Sequence, residues 1–438
     1  MSAQHSPLLD PSCDCGLLGA VRALAGIEKC AVIVHGRPGC HSGMLGLMSY
    51  CSSHRRVNIV FSGLRSEDMI YGGEKRLLNA ILNTYKIMKP DLIAICCCSA
   101  VGIMGDDVQG VVQEAKDRYG IDVPIIILEA YGYKTREQQL YELALQKLAD
   151  LAEPGVKQEP NLVNVIGFRP DQPHWRADLE EIRRILEANG VRVNLVLSWC
   201  SVSDIRKIAR ASLNVVLGGD GVLLAEELRK RFNIPYVIVP YPYGIENTLN
   251  LIHTVCKELG INPNEDFIEK ERQYVEDVLQ DFLIYLDGIY KNLDVALIGE
   301  ASRVFSLAQF LKKELGLNIE LICARCSSLV IDRLSSGWKC KILVEPDRYD
   351  LEKELENLKI DLIFGSTYDR LLALKLGVGL VRMFFPSFDE VTISTRPAVG
   401  FRGVLTIIEK IINETLRLQE KRELAYLAKL GATRFTAL

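Results

Sequence analysis

Thirteen cysteines are the chemically most distinctive residues of this 438-residue chain. Three of them stand at the ends of predicted strands or helices. Cys15 opens Cys-Gly-Leu-Leu-Gly-Ala, Cys40 closes His-Gly-Arg-Pro-Gly-Cys, and Cys98 ends a run of three cysteines shortly before a Gly-Asp-Asp turn. Thiolates at such turns suit an iron–sulfur cluster, because glycine lets the backbone approach the sulfides and supply N–H donors. These three cysteines are therefore the candidate metal ligands.

The alternative is that these cysteines are small buried hydrophobic residues, since cysteine outside disulfides is among the most buried residue types. Three thiolates also fall short of the four protein ligands that a cluster usually takes. We expect the missing ligands to come from another subunit, so that the three cysteines form half of a shared site. Cys13 is a possible substitute for Cys15, but it lacks the Gly-Leu-Leu-Gly that follows Cys15.

Composition narrows the class of protein. Lys and Arg total 52 and Asp and Glu total 56, a net charge of −4, which argues against a general nucleic-acid binder. An odd number of cysteines in so long a chain argues against a disulfide-stapled secreted protein. The segment before Cys15 lacks the pattern of a signal peptide. We therefore expect a soluble cytoplasmic protein that does not enter a membrane.

The longest nearly apolar run, Leu92–Met104, is too short for a membrane helix, which needs about twenty residues. It is predicted to be a buried strand entering a turn.

Short apolar runs alternate with amphipathic stretches along the whole chain. In Glu74–Ile87 the apolar residues recur on one face, which predicts a helix. Continuous apolar strands that alternate with helices favour parallel sheets covered on both faces, so the fold class is α/β. The predicted strands are Cys30–Val34, Val57–Phe61, Leu92–Cys96, Val123–Leu128, Leu162–Ile166, Val193–Leu197, Val215–Leu217, Tyr236–Val239, Val295–Ile298, Ile319–Cys323, Ile342–Val344, Leu362–Phe364 and Gly379–Arg382.

Three doubly wound, Rossmann-like domains are predicted: 1–155, 160–260 and 261–438. Leu151–Pro160 has the proline, glycine and charge content of a linker. Gly260–Asp266 precedes a long helical stretch, Phe267–Tyr290, which opens the third domain. Ligands of open α/β sheets sit beyond the carboxyl ends of the strands, where Cys40 and Cys98 are expected to converge and the N-terminal segment to bring Cys15.

Other motifs are weaker. Cys323 and Cys326 have CxxC spacing, but without a second CxxC they are interpreted as structural. Leu217–Gly221 resembles a nucleotide loop but does not match GxGxxG, and the chain contains no GxxxxGK[ST], so we do not expect it to hydrolyse ATP. Gly105–Asp107 is interpreted as a turn and helix N-cap. His35 is interpreted as a hydrogen-bonded core histidine.

Several segments together form a recognisable set: Cys15–Ala20, His35–Cys40, Tyr71–Lys75, Cys98 with Gly105–Asp107, Asp361–Tyr368, Arg382–Asp389 and Gly400–Gly403. This set resembles the nitrogenase component 1 superfamily, whose subunits have three doubly wound domains. The Phe-Pro-x-Phe-Asp segment followed by Gly-Phe-x-Gly looks most like the β-type subunit.

The resemblance implies roles for the cysteines. Cys15, Cys40 and Cys98 look like the β-side ligands of an inter-subunit cluster, either an [8Fe–7S] P-cluster or a [4Fe–4S] counterpart. A homologous α-type subunit would supply the other thiolates in an α2β2 heterotetramer. A separate ATP-dependent iron protein would deliver electrons to an active site held mainly by that subunit.

The departures from the family pattern are informative. Cys98 lies seven residues before Gly105, where members of the family usually have six, so Ser99 occupies the matching position. The third ligand is therefore Cys98, Ser99 or both. The cysteine and histidine with which α-type subunits ligate a metal cofactor have no counterparts, which fits a β-type subunit.

Three functions compete. The first is an electron-transferring subunit of a nitrogenase-like oxidoreductase, which acts on dinitrogen, a methylthio-alkane or another small molecule, or on a tetrapyrrole. The second is a scaffold subunit that assembles a nitrogenase cofactor without turnover. The third is an α/β protein with core cysteines and no cluster.

Overall fold

The computed structural model describes residues 15–50, 58–282, 293–393 and 395–435. Within them, thirteen strands form three sheets of four, four and five strands, and every strand pair is parallel. Non-consecutive strands are neighbours in each sheet, so the connections cross over through helices. The α/β fold with parallel-sheet domains is confirmed.

The first sheet has the order β2-β1-β3-β4. Its strands are β1 (Cys30–His35), β2 (Asn58–Phe61), β3 (Leu92–Cys98) and β4 (Ile125–Ala130). Its helices are α1 (Gly16–Leu24), α2 (Pro38–Tyr50), α3 (Asp68–Tyr71), α4 (Glu74–Met88), α5 (Ser99–Met104), α6 (Val108–Tyr119) and α7 (Glu137–Lys147). Cys96 packs in the core on one face and Cys97 in the core on the other, as expected for alternating strand residues.

The second sheet repeats this order as β6-β5-β7-β8. Its strands are β5 (Leu162–Ile166), β6 (Arg192–Val196), β7 (Leu213–Leu217) and β8 (Tyr236–Val239). Its helices are α8 (Trp175–Ala188), α9 (Val202–Arg206), α10 (Val222–Phe232) and α11 (Gly244–Leu259). The 3-10 turns Leu148–Leu151 and Ile208–Arg210 flank it.

The third sheet has the order β11-β10-β9-β12-β13. Its strands are β9 (Asp294–Gly299), β10 (Asn318–Ala324), β11 (Lys341–Val344), β12 (Leu362–Gly365) and β13 (Gly379–Arg382). The helices of this part are α12 (Glu265–Gln280), α13 (Ala301–Lys313), α14 (Ile331–Ser335), α15 (Arg348–Glu356), α16 (Arg370–Leu376) and α17 (Gly400–Phe435), with a 3-10 turn at Thr367–Asp369. One continuous core joins the second and third sheets.

All thirteen predicted strands are found within two residues of their predicted bounds, except that Val57 lies outside the described residues. The predicted helix Glu74–Ile87 is confirmed as α4. Of the helical stretch Phe267–Tyr290, α12 covers the first part and 283–290 lie outside the described residues. Residues 152–161 contain no helix or strand, and the exact domain boundaries stay a prediction. None of the described helices is long and apolar enough to cross a membrane.

The prediction for Leu92–Met104 is wrong in its second half. The strand continues to Cys98, and the remaining residues form the short helix α5 instead of a turn. Gly105, with φ +76°, ends this helix in the left-handed conformation that glycine adopts easily. An apolar run alone does not distinguish a buried strand from a strand followed by a short helix.

Asp178 connects the second and third sheets. It lies in the first turn of α8 and is buried. Its Oδ1 atom accepts hydrogen bonds from the backbone N–H groups of Ala398, at 2.6 Å, and Val399, at 3.3 Å. Burial raises the pKa of Asp178 to about 7, because the charged carboxylate loses its hydration.

The stability of this contact should depend on pH. The raised pKa means that folding favours protonated Asp178, so its contribution is fully present below pH 4 and is lost as pH rises through about 7. Asp178→Asn removes this titration and keeps the Oδ1 acceptor. Between pH 5.5 and 8 the wild type should therefore lose about 2 kcal/mol, a few degrees of melting temperature, relative to the variant. Thermal unfolding across this pH range measures the difference.

Glu180→Gln is the matched control, because Glu180 is an exposed carboxylate on the same helix. The melting temperature of this variant should change with pH by the same amount as that of the wild type. A constant difference between wild type and Asp178→Asn over the whole range would contradict the prediction.

Candidate metal centre

The candidate cysteines lie where the strand order of the first sheet reverses. β1 and β3 are neighbours at the centre of the sheet. After β1 the chain continues to β2 on one side, and after β3 it continues to β4 on the other. Val34 pairs with Cys96 and His35 with Cys97, so the two strands end level. Cys40 follows β1 and Cys98 is the last residue of β3. Such a reversal creates a crevice at the carboxyl edge of the sheet, which is where ligands of α/β proteins bind.

Cys40 and Cys98 contact each other through their side chains. Cys98 is 3% exposed and forms the N-cap of α5, while Cys40 lies in the first turn of α2. Their hydrogen bond and the burial of Cys98 raise the pKa of the Cys98 thiol. A thiol protonated in this way must lose its proton to bind a metal.

Gly36 makes room for this pair. A Cβ atom placed on Gly36 would lie 2.6 Å from the Cys98 sulfur and 2.7 Å from its Cβ. Real side chains do not approach so closely, so any larger residue here displaces Cys98. The glycine therefore sets the position of the Cys98 sulfur.

Cys15 reaches the same edge from the N-terminal side. It is the N-cap of α1, and its backbone forms an antiparallel bridge with Arg136. The N–H of Gly16 donates to the Thr135 carbonyl at 3.2 Å. A Cβ on Gly132 would lie 3.1 Å from that of Cys15. Cys15 also contributes to the raised pKa of Cys98, so it lies close enough to Cys98 to act on it electrostatically.

Ser99 follows Cys98 directly but has a different neighbour. Its hydroxyl oxygen accepts the backbone N–H of Gly132 at 2.9 Å. Ser99 thus connects the start of α5 to the loop beside Cys15, whereas Cys98 contacts Cys40. Cys13, the possible substitute for Cys15, lies outside the described residues.

All three cysteines lie at helix N-termini, where the helix dipole favours negative charge such as that of thiolates. Among the residues that the structure describes, no three His, Cys, Asp or Glu side chains are arranged to hold a single metal ion. A cluster does not require this, because each thiolate binds a different iron. Cysteine thiolates are the donor set that iron–sulfur clusters use.

Sequence reasoning missed the interactions that hold α1, and thus Cys15, in place. Every residue of α1 is buried, and a Cβ on Gly19 would lie 1.9 Å from the carbonyl oxygen of Glu137 in α7. Arg22, also in α1, donates to Glu137 at 2.6 Å, to Asp171 at 2.5 Å and to Glu300 at 2.7 Å. These partners are more than one hundred residues away along the chain, so no local pattern indicates them.

Both cysteines of the CxxC pair are buried, and their structural role stays a prediction. Cys323 lies in the core on one face of the third sheet. Cys326 is also buried, and its sulfur donates to the Glu137 carboxylate at 3.6 Å.

The interpretation of Leu217–Gly221 as a strand-to-helix turn is confirmed, since Gly218, Gly219 and Gly221 all have positive φ. The carboxylate of Glu142, from α7, accepts the backbone N–H groups of Gly221 at 2.6 Å and Leu223 at 3.2 Å. A side chain of the same protein therefore occupies the anion position at the start of α10. Burial raises the pKa of Glu142 to about 7.

Two further interpretations are confirmed. Asp107 is the N-cap of α6 and accepts the N–H of Gly110 at 2.8 Å. His35 is fully buried and hydrogen-bonded to Ser62 and Asp106. Sequence reasoning did not identify either partner of His35.

Comparison with known proteins places the chain in a family. The model of the nitrogenase component 1 type oxidoreductase family matches residues 15–416. A nitrogenase molybdenum-iron protein beta chain of Methanococcus maripaludis is 25% identical, over 95% of this chain and 96% of the relative. A nitrogenase vanadium-iron protein beta chain of Trichormus variabilis is 26% identical, over 94% of both chains.

Two further similarities are relevant. The nitrogenase iron-molybdenum cofactor biosynthesis protein NifE of Clostridium pasteurianum is 29% identical, over 83% of this chain and 80% of the relative. The solved structure of nitrogenase Cp1 at pH 6.5 has a chain of the same fold, with a TM-score of 0.82 at 23% identity and 96% coverage of both chains. The protein belongs to the nitrogenase component 1 type oxidoreductase family and is a β-type subunit.

The contact between Cys40 and Cys98 can be tested by cross-linking. In the iron-free chain, a mild oxidant such as diamide should join these two thiols in a disulfide, found by peptide mass mapping. Gly36→Ala should slow this reaction about tenfold, because the added methyl group displaces the Cys98 sulfur.

Gly39→Ala is the matched control. Gly39 lies in the same loop motif, and a Cβ added there meets no atom within 4 Å. This variant should form the disulfide at the rate of the wild type. Equal slowing in both variants would show that the loop, and not the contact with Cys98, controls the reaction.

Proposed function

We propose that this chain holds half of an iron–sulfur cluster shared with a homologous α-type subunit in a nitrogenase-like reductase. The observation that carries the proposal is the convergence of Cys15, Cys40 and Cys98 at one sheet edge, in a β-type chain of this family. Three thiolates are too few for a complete cluster, so a second subunit has to provide the rest.

The surface around the cysteines supports a partner there. Ile70 and Tyr71, at the end of α3, are 78% and 85% exposed, and Ile103, in α5, is 75% exposed. Tyr133, on the loop after β4, is exposed as well. Large apolar side chains grouped at one edge are typical of a surface that another protein covers.

The relatives support the composition of the complex. They include beta chains of molybdenum-iron and vanadium-iron nitrogenases, names that imply companion chains. We therefore propose an α2β2 assembly that receives electrons from an ATP-dependent iron protein. The chain itself has no GxxxxGK[ST] motif for ATP binding. The substrate is dinitrogen, a methylthio-alkane or another small molecule that the α-type subunit reduces.

Each residue of the site has a defined task in this proposal. Cys15, Cys40 and Cys98 give up their protons to bind iron, and the helix N-termini behind them favour the resulting negative charge. Gly36 keeps space beside the Cys98 sulfur. When bound, the cluster supplies one-electron transfer between the iron protein and the active site of the partner subunit.

We assign the third thiolate to Cys98 rather than Ser99. The Cys98 side chain contacts Cys40, while the Ser99 hydroxyl already accepts the N–H of Gly132. Ser99 then orients the Gly132 loop beside Cys15.

Iron content tests the proposal. The wild-type chain is purified anaerobically with its α-type partner, and iron and sulfide are quantified. About four irons per subunit pair indicate a [4Fe–4S] cluster and about eight a P-cluster. Cys15→Ala, Cys40→Ala and Cys98→Ala should each lose most of the iron, whereas Ser99→Ala should retain it.

Cys340→Ala is the control, because Cys340 is partly exposed and lies before β11, outside the site. It should bind as much iron as the wild type. A wild-type complex without iron would overturn the proposal. Iron loss in Ser99→Ala but not in Cys98→Ala would move the third ligand to Ser99.

A scaffold function is the second candidate, favoured by the 29% identity to NifE. In that case the complex binds iron but transfers no electrons to a substrate. Turnover assays with the iron protein, ATP and candidate substrates distinguish the two functions. Substrate reduction identifies the reductase, and an iron-loaded complex without turnover identifies the scaffold.

A further inference from the structure

His35 joins three separate loops at the edge that carries the cysteines. It is the last residue of β1 and is fully buried. Its Nδ1 atom lies 2.9 Å from the hydroxyl oxygen of Ser62, which follows β2. Its Nε2 atom lies 3.2 Å from Oδ2 of Asp106, which follows α5. The imidazole therefore connects the end of β1 to the segment after β2 and to the segment after α5.

The hydrogen-bond partners determine the tautomer. A carboxylate only accepts, so Nε2 carries the proton and donates to Asp106, while Nδ1 accepts the hydroxyl proton of Ser62. The Ser62 oxygen accepts in turn the backbone N–H of Gly36 at 3.3 Å. Every polar atom of this set therefore has a partner, which makes a buried network rigid.

Asp106 extends the network to a further loop. Both of its carboxylate oxygens accept the N–H of Gly73, each at 3.1 Å. A Cβ on Gly73 would lie 2.6 Å from Asp106 Oδ2 and 3.1 Å from the His35 ring, so this approach requires glycine. The Asp107 N–H also donates to Glu74, at 3.3 Å.

The network includes the neighbours of two candidate ligands. Gly36, which follows His35, lies beside the Cys98 sulfur and shortly before α2, whose first turn contains Cys40. Asp106 follows α5, the helix that Cys98 caps. The bonds of His35 therefore fix the spacing between the segment with Cys40 and the segment with Cys98. Cys15 is held separately, by α1 and the loop before α7.

We propose that His35 is a positioning residue for the cluster site, which holds Cys40 and Cys98 at the spacing that iron binding requires by bonding to Ser62 and Asp106. The effect of His35 on iron binding rests on the proposed function, but its effect on the positions of Cys40 and Cys98 can be measured without iron. Partners that orient metal ligands in this way influence both metal affinity and the electronic properties of the metal.

The cysteines themselves report the effect. In the iron-free full-length chain, iodoacetamide labels each cysteine at a rate that mass spectrometry resolves by peptide. His35→Phe keeps an aromatic ring but removes both hydrogen bonds. Labelling of Cys40 and Cys98 should accelerate about tenfold, while Cys256 and Cys323, which lie in other cores, should keep their rates.

The variants separate positioning from general destabilisation. His174→Phe is the matched control, because His174 is another buried histidine with one hydrogen bond, to the carbonyl of Arg396. It should leave Cys40 and Cys98 at wild-type rates. His35→Gln can still donate to Asp106 and should restore part of the protection. If His35→Phe does not fold, Asp106→Asn removes the charge that the imidazole binds and should produce the same selective labelling.

The iron-loaded complex gives an independent measurement. At unchanged iron content, His35→Gln should alter the electron paramagnetic resonance spectrum of the reduced cluster, which a purely structural role would not change. Uniform acceleration of all buried cysteines, or wild-type labelling and spectrum in the His35 variants, would overturn the inference. A wild-type complex without iron would overturn the proposed function alone, because the labelling pattern would still test the positioning.

Discussion

The arrangement of the three sheets depends on one buried guanidinium. Arg22 comes from α1, beside the first sheet, and binds Asp171 beyond β5 and Glu300 beyond β9, while Glu137 of α7 binds it from its own domain. The ring of Phe385 lies 3.9 Å from the guanidinium carbon. Removing one partner of a buried ion pair costs about 3–5 kcal/mol, because the remaining charge stays buried without compensation. Arg22 thus links residues of all three sheets at a single point.

This constraint reaches the cysteines through α1. Arg22 and Cys15 stand two turns apart on the same helix, with Cys15 at its N-terminus. Because Gly19 brings α1 into backbone contact with α7, the helix cannot slide without disturbing Glu137. Cys40 and Cys98 are positioned independently, by strand register and by the hydrogen bonds of His35. The candidate site therefore combines one ligand fixed by contacts between domains with two ligands fixed within a domain.

The sequence predicted the features that local residue patterns determine, and it did not predict contacts between residues far apart along the chain. Strands were predictable because each is a short, mainly apolar run between turn residues. Their parallel order implied that Cys40 and Cys98 lie at one edge. The helix α5 was missed because only the small residues Ser99 and Gly102 interrupt the apolar run Leu92–Met104, and neither marks the start of a helix unambiguously. The partners of Arg22 and His35 were missed because a polar residue far along the chain carries no local signal of its contact. Nothing in the sequence around Ser62, for example, distinguishes it from other serines that follow a strand.

Each of the three sheets has an edge at the carboxyl ends of its parallel strands. The side chains that lie at this edge determine what it can bind. At the second sheet, glycines with positive φ and a helix N-terminus form the kind of cradle that binds phosphate, yet Glu142 occupies it. At the third sheet, Glu300 is engaged by Arg22. At the first sheet, by contrast, the cysteines are bordered by exposed apolar residues such as Tyr71 and Ile103. Since a carboxylate of the same chain fills the cradle at the second edge, whereas the first edge carries thiols beside exposed apolar side chains, the first edge is suited to a ligand and a partner from outside the chain.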